Sequence, residues 1–288
     1  MDQKRLIQGV DWDIMIVCDS FRYDIFKEIS SLVFKGFKTN LLKTNAISTW
    51  TLGWFIEAFH QGDVLEDTIL IASSPARKTK DTRVYDLVKR FKYRNVVFEP
   101  ENYFKEVVDV CKTAFDERLG IVPPETMIQE TKKSMRENPE CKIISKYYQV
   151  HDPYLYFIDQ GDIEGLEVVD YSKKDEKVHG GVNIKKLLTL VFSNETIWKW
   201  LSRIGSPPST GIGRLWSVYG REGIIRAYKS DMKTVLELVR DEIVSSAKDK
   251  LIVITTDHGE NLGEKGMYGH GKNTRNVIMI PWLEVDNR

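Results

Sequence analysis

The chain has 288 residues, with 42 Lys plus Arg balanced by 42 Asp plus Glu. That balance leaves no excess positive charge to draw it onto a nucleic-acid backbone or an anionic lipid surface, so a nucleic-acid partner and a membrane partner are both disfavoured. Its 42% hydrophobic and 29% charged residues suit a soluble fold with a core large enough to need no covalent staples. The three cysteines, Cys18, Cys111 and Cys141, are too few and too widely spaced for a disulfide framework or a zinc knuckle, and read as small apolar residues. No apolar stretch approaches the twenty or so residues that span a bilayer, and the N-terminal residues carry no apolar leader core, so a cytoplasmic location is expected.

In chain order, residues 13–18 form an apolar run ending at Asp19, the pattern of a strand buried on both faces with its carboxyl end at a functional rim. Residues 68–72 and 95–98 repeat that pattern and predict two further core strands. Residues 101–116 place Phe104, Val107, Val108, Cys111 and Phe115 at roughly helical spacing, and Pro123-Pro124-Glu125 opens a second helix through Arg136. Residues 141–150 return to a strand pattern that stops at His151-Asp152-Pro153-Tyr154. From 157 to 220 the periodicity weakens around a charged run and Gly/Pro-rich turns, which predicts an insertion or cap, helical in part. Apolar residues at three- and four-residue steps predict an amphipathic helix over 222–247, feeding the last clear strand, 251–256. The alternation of strand and helix indicates an α/β chain, read as a single domain over 1–288.

The chemistry concentrates at strand ends. Residues 251–256 deliver Asp257, His258, Gly259 and Glu260, and thirteen residues beyond Asp257 comes the glycine-flanked His270. A carboxylate oxygen and an imidazole nitrogen side by side can share one divalent ion. A lone Asp at a strand end is more often a turn or cap residue, but Asp-His-Gly-Glu followed by Gly-His is too specific for that reading. His151 alone reads equally well as a turn residue before a proline.

Three separated segments resemble the alkaline phosphatase/sulfatase superfamily, in particular its archaeal and bacterial sulfatase-like members. They are Val17-Cys18-Asp19-Ser20-Phe21-Arg22-Tyr23-Asp24, then Thr255-Thr256-Asp257-His258-Gly259-Glu260, and Tyr268-Gly269-His270-Gly271 with the terminal Ile280-Pro281-Trp282. The resemblance implies a central, mostly parallel sheet flanked by helices in a three-layer sandwich, with a partly helical insertion. It also implies a nucleophile at the start of the helix after the first strand, where Thr51 in Trp50-Thr51-Leu52-Gly53 fits best, with Ser48 and Thr49 as alternatives that could instead cap the helix. By the same carry-over, Asp19, Thr51, Asp257 and His258 form the main metal site, while His151, His270, Gln149 and Lys146 serve a second ion or the anionic group of a substrate.

Two departures bear on activity. The Cys/Ser-x-Pro-x-Arg motif of true sulfatases is missing around Thr51, so sulfatase chemistry through formylglycine is not expected. Where sulfatase-like relatives show His-Tyr-x-Gln-Pro-His, this chain has Lys146-Tyr147-Tyr148-Gln149-Val150-His151, and the neutral Gln149 and cationic Lys146 put a second ion in question. The donor set suits Zn²⁺ or Mn²⁺ better than Ca²⁺ or Mg²⁺, with one or two ions. The expected function is hydrolysis of a small anionic phosphoric or sulfuric ester through a covalent phosphothreonine. Transfer of a phosphoryl-alcohol group, or a non-catalytic binding role on the same fold, are the alternatives.

Overall fold

The structure, a computed structural model, describes residues 2–60, 62, 64–73, 78, 92–117, 119–151, 154–159, 192–205, 208 and 211–288. Its strands are β1 (Ile14–Cys18), β2 (Thr39–Asn45), β3 (Leu65–Ala72), β4 (Phe104–Asp109), β5 (Lys142–Lys146), β6 (Leu251–Thr256), β7 (Asn261–Leu262), β8 (Tyr268–Gly269) and β9 (Met279–Asp286). Seven of them make one sheet in the order β2-β9-β6-β1-β5-β3-β4. The pairs β6-β1, β1-β5, β5-β3 and β3-β4 are parallel, and only β9 runs against its neighbours. The sheet is therefore mostly parallel and flanked by helices on both faces, the architecture expected.

Alternation along the strands assigns the two faces. Ile14, Ile16 and Cys18 join Ile69, Ile71, Ile143, Ile252 and Ile254 in one apolar cluster with the helices Tyr23–Val33, Pro124–Glu137 and Gly211–Leu238. Met15 and Val17 join Leu70, Ile144, Val253 and Trp282 in the other, against the helices Gln3–Gly9 and Thr51–Phe59. Every residue of β1 is buried, as a strand covered on both sides must be.

Several expectations need correction. Residues 101–116 are not a helix: Phe104–Asp109 is the edge strand β4, followed by a single helical turn, Cys111–Ala114. The β-branched pair Val107-Val108 gains a ladder with Leu70 and Ile71 of β3, and that pairing outweighs a local spacing that also fits a helix. Residues 95–98 contribute only an isolated bridge, Phe98 to Lys78. The strand expected over 141–150 stops at Lys146. The helix expected from 222 begins at Gly211, breaks its geometry at Gly220 (φ 64°), and passes into a π-helical turn, Val239–Val244. Both β2 and β9 went unforeseen. Of the 157–220 insertion, 160–191 and four residues of the Gly/Pro-rich turn lie outside the described residues, as do His179, Asp152 and Pro153.

Candidate metal centre

The register brings three chain ends to one point. Val17 pairs with Lys146 of β5 and Thr255 of β6, so Asp19, Lys146 and Asp257 emerge side by side at the carboxyl ends of adjacent parallel strands. This is where open α/β sheets place their ligands. Thr51 comes from the opposite direction, as the first residue of the helix Thr51–Phe59. Gly53 is required there: a Cβ on it would stand 2.2 Å from Trp50 Nε1 and 2.4 Å from Ser48 Oγ, which fold across the start of the helix.

Thr51 Oγ1 lies 2.8 Å from Asp257 Oδ2 and 3.3 Å from Asp19 Oδ2, donating its proton to the first. His258 Nε2 stands 3.7 Å from Asp19 Oδ1 and 3.6 Å from Asp257 Oδ2. His258 Nδ1 faces the carbonyl oxygen of Gly259 at 3.1 Å, which only accepts, so Nδ1 carries the ring proton and Nε2 presents a lone pair. That Nε2 is buried without a hydrogen-bond partner among the described residues, while Asp19, Asp257 and His258 are all buried.

A buried lone pair facing two carboxylates fits a divalent ion. The separations of 3.6 and 3.7 Å are close to the edge, about 3.4 Å, of a tetrahedron with metal–ligand bonds of about 2.1 Å. Asp19, Asp257 and His258 together offer donor atoms within 4.8 Å of one another. Thr51 supplies a hydroxyl to the same spot. Of the alternative nucleophiles, Thr49 Oγ1 is turned away to Gly271 O at 3.1 Å.

Lys146 is buried with its ammonium 3.1 Å from Asp19 Oδ2, 3.4 Å from Asp257 Oδ2 and 3.0 Å from the carbonyl of Tyr147. Two of these oxygens accept hydrogen bonds from it, and Asp257 adds an ion pair. Burial opposes the Asp19 charge, but Lys146, helped by His258, His151 and His270, outweighs it and holds the carboxyl well below the usual range. For Lys146, burial is likewise outweighed by Asp19 and Asp257, so its pKa is raised. For His258 burial, the largest influence, outweighs the pull of Asp257 and lowers the pKa.

A second group lies beside the first. The ring of His270 is 4.3 Å from that of His258 and 5.3 Å from that of His151. Its Nδ1 meets Glu260 Oε2 at 3.2 Å, and Glu260 outweighs burial to raise the His270 pKa. The sequence reading gives Glu260 no role; a carboxylate three residues past the candidate ligand Asp257, ahead of the Gly-His loop, is the signal that could have found it. Tyr148 Oη approaches His151 Nδ1 at 3.1 Å. Gln149 turns its side-chain nitrogen to Val122 O at 3.0 Å, while its backbone carbonyl accepts from Asp19 N. Gly259 packs so tightly that a Cβ would stand 2.1 Å from Asn276 O, which pins this loop to the segment before β9.

Comparison with solved structures places this arrangement in context. The chain is similar to the soluble domain of lipooligosaccharide phosphoethanolamine transferase A from Neisseria meningitidis (TM-score 0.53, 12% identity, 94% of this chain and 75% of that one). The integral membrane form of that transferase also matches (TM-score 0.54, 11% identity, 96% of this chain), and there the chain spans 47% of its length. So does phosphonate monoester hydrolase of Agrobacterium radiobacter (TM-score 0.52, 12% identity, 95% and 68%). The chain shares its α/β fold with these proteins. No family model matches the sequence, and no curated protein does.

Proposed function

We propose that this protein is a metal-dependent hydrolase of phosphoric esters, with sulfuric esters as the second substrate class, acting through Thr51. The observation that carries the reading is the position of the threonine hydroxyl, 2.8 Å from Asp257 Oδ2 and 3.3 Å from Asp19 Oδ2, against the unpaired Nε2 of His258. The enzymes sharing this fold, a phosphoethanolamine transferase and a phosphonate monoester hydrolase by name, support ester chemistry at phosphorus. Asp19, Asp257, His258 and Thr51 would hold the ion, Zn²⁺ or Mn²⁺ by the mixture of oxygen and nitrogen donors. A divalent ion bound there supplies the positive charge that makes a threonine hydroxyl acidic and polarises an ester oxygen.

The chain's own groups account for the rest. Thr51 Oγ attacks phosphorus, forming a threonine phosphoester as the bond to the departing alcohol breaks, and Asp257 Oδ2 is in place to take the hydroxyl proton. Water then cleaves the phosphothreonine and returns the hydroxyl. His270, held by Glu260, and His151 beside it would receive the anionic oxygens of the substrate. An alcohol acceptor in place of water would make the same centre a transferase, the reading favoured by the similarity to the phosphoethanolamine transferase.

Assay of zinc- or manganese-loaded protein against aryl phosphate monoesters, diesters and aryl sulfates tests the proposal. Thr51→Ala should lower turnover by about 10³-fold or more. Turnover unchanged in that variant would remove Thr51 from the chemistry, and failure of the wild-type protein to hold any divalent ion would favour a binding protein that keeps the fold.

A further inference from the structure

Ser20, directly after Asp19, is fully buried and adopts φ 64°, the left-handed region that a side chain enters only at a cost. Its hydroxyl donates to Asp19 Oδ1 at 2.8 Å, and the same oxygen lies 3.4 Å from His258 Nδ1. With its proton spent on Asp19, that oxygen is left to accept from the Nδ1 proton, alongside Gly259 O. The backbone N–H of Ser20 reaches Asp257 Oδ1 at 3.4 Å. One residue therefore touches Asp19, Asp257 and His258, through carboxylate oxygens other than those that meet Thr51 and Lys146.

The surroundings hold Ser20 in that conformation. Tyr228 Oη, from the helix Gly211–Leu238, donates to Ser20 O at 2.6 Å and accepts from Arg22 N at 2.8 Å. Phe21 N donates to Thr256 Oγ1 at 3.0 Å, and Asp19 N to Gln149 O at 2.8 Å. The turn is bolted at every peptide from 19 to 22, which is how a strained residue persists.

We infer that Ser20 is a positioning residue of the metal centre: its hydroxyl fixes the rotation of the Asp19 carboxylate and braces the His258 ring, so that the three ligands are aimed before any ion arrives. This rests on the metal-centre reading above. Loss of such a supporting partner weakens metal affinity by about 10–100-fold.

Glycine separates this role from a structural one, since it relieves the positive φ while deleting the hydroxyl. Zinc affinity is measured by calorimetric titration, and the melting temperature of the metal-free protein is recorded beside it, for wild type, Ser20→Gly, Ser20→Ala and Ser20→Thr. Ser20→Gly should bind zinc about 10–100-fold more weakly while melting within a few degrees of wild type. Ser20→Ala should bind as weakly and melt lower. Ser20→Thr, which keeps the hydroxyl but adds branching at a positive φ, should bind within about 3-fold of wild type and also melt lower. Wild-type affinity in Ser20→Gly, or affinity in Ser20→Thr as poor as in Ser20→Ala, overturns the inference. A wild-type protein that takes up no zinc, manganese or calcium overturns the metal centre itself, and is recognised without any variant.

Discussion

Lys146 donates to Asp19 Oδ2 and Tyr147 O, and its ammonium lies 3.4 Å from Asp257 Oδ2. It acts as the counter-charge that lets two carboxylates sit together in a buried site before an ion adds its own charge. Lys146→Met should therefore cost the metal-free protein about 3–5 kcal/mol, because it strands buried charge. Saturating zinc should recover most of that loss, and denaturant melts with and without metal give the comparison. At this scale the sequence was informative where motif and strand end coincided: Asp19, Asp257 and His258 could be named because each follows an apolar run. Ser20 could not, since its importance lies in a backbone angle and in contacts to residues 257 and 258. Lys146 was noticed as a departure from pattern, but its partners depend on the register between β1 and β5.

Among the elements, the loop carrying β7 and β8 is tied back to the start of the helix Tyr23–Val33. Arg22 pairs with Asp24 at 2.6 Å and with Glu264 at 2.6 Å, and Glu264 Oε2 accepts from Leu262 N. For both acids burial is outweighed by the bonds to Arg22, so each pKa lies below its ordinary value of 3.8 or 4.5. The stabilisation they bring is complete above those ordinary values and drains away as pH falls through the lower folded-state ones. Melting temperature should thus decline below pH 4.5, and Arg22→Met should flatten that decline while costing about 2 kcal/mol at neutral pH. Most of the effect belongs to Glu264, as Asp24 faces solvent. Strand β6 and the helix from Pro124 were readable because length, capping and apolar pattern agreed. The edge strands were not: β4 presents Lys105 and Glu106 outward, and β2 is largely exposed, so neither alternates cleanly. Pro281 within β9 argues against an inner strand, yet β9 lies between β2 and β6.

For the molecule as a whole, the same ion that serves chemistry should serve stability. Chelation should lower the melting temperature, and zinc at one hundred times its dissociation constant should raise stability by about 2.7 kcal/mol over the metal-free protein. Scanning calorimetry with and without chelator measures it; no difference would mean that folding does not favour the ion. Among the described residues no helix is long and apolar enough to cross a membrane.

The placement of β1 bears on how the protein is made. Ile14 is laddered to Ile143 on one side and to Ile252 on the other. During synthesis an apolar ribbon therefore waits with one edge bare until β6 has left the ribosome, a template for faulty pairing with another nascent chain. Asp257 and His258 are themselves still untranslated in that interval. Ion uptake must follow synthesis of β6, and occupancy of the centre would report that β1 has found both of its neighbours.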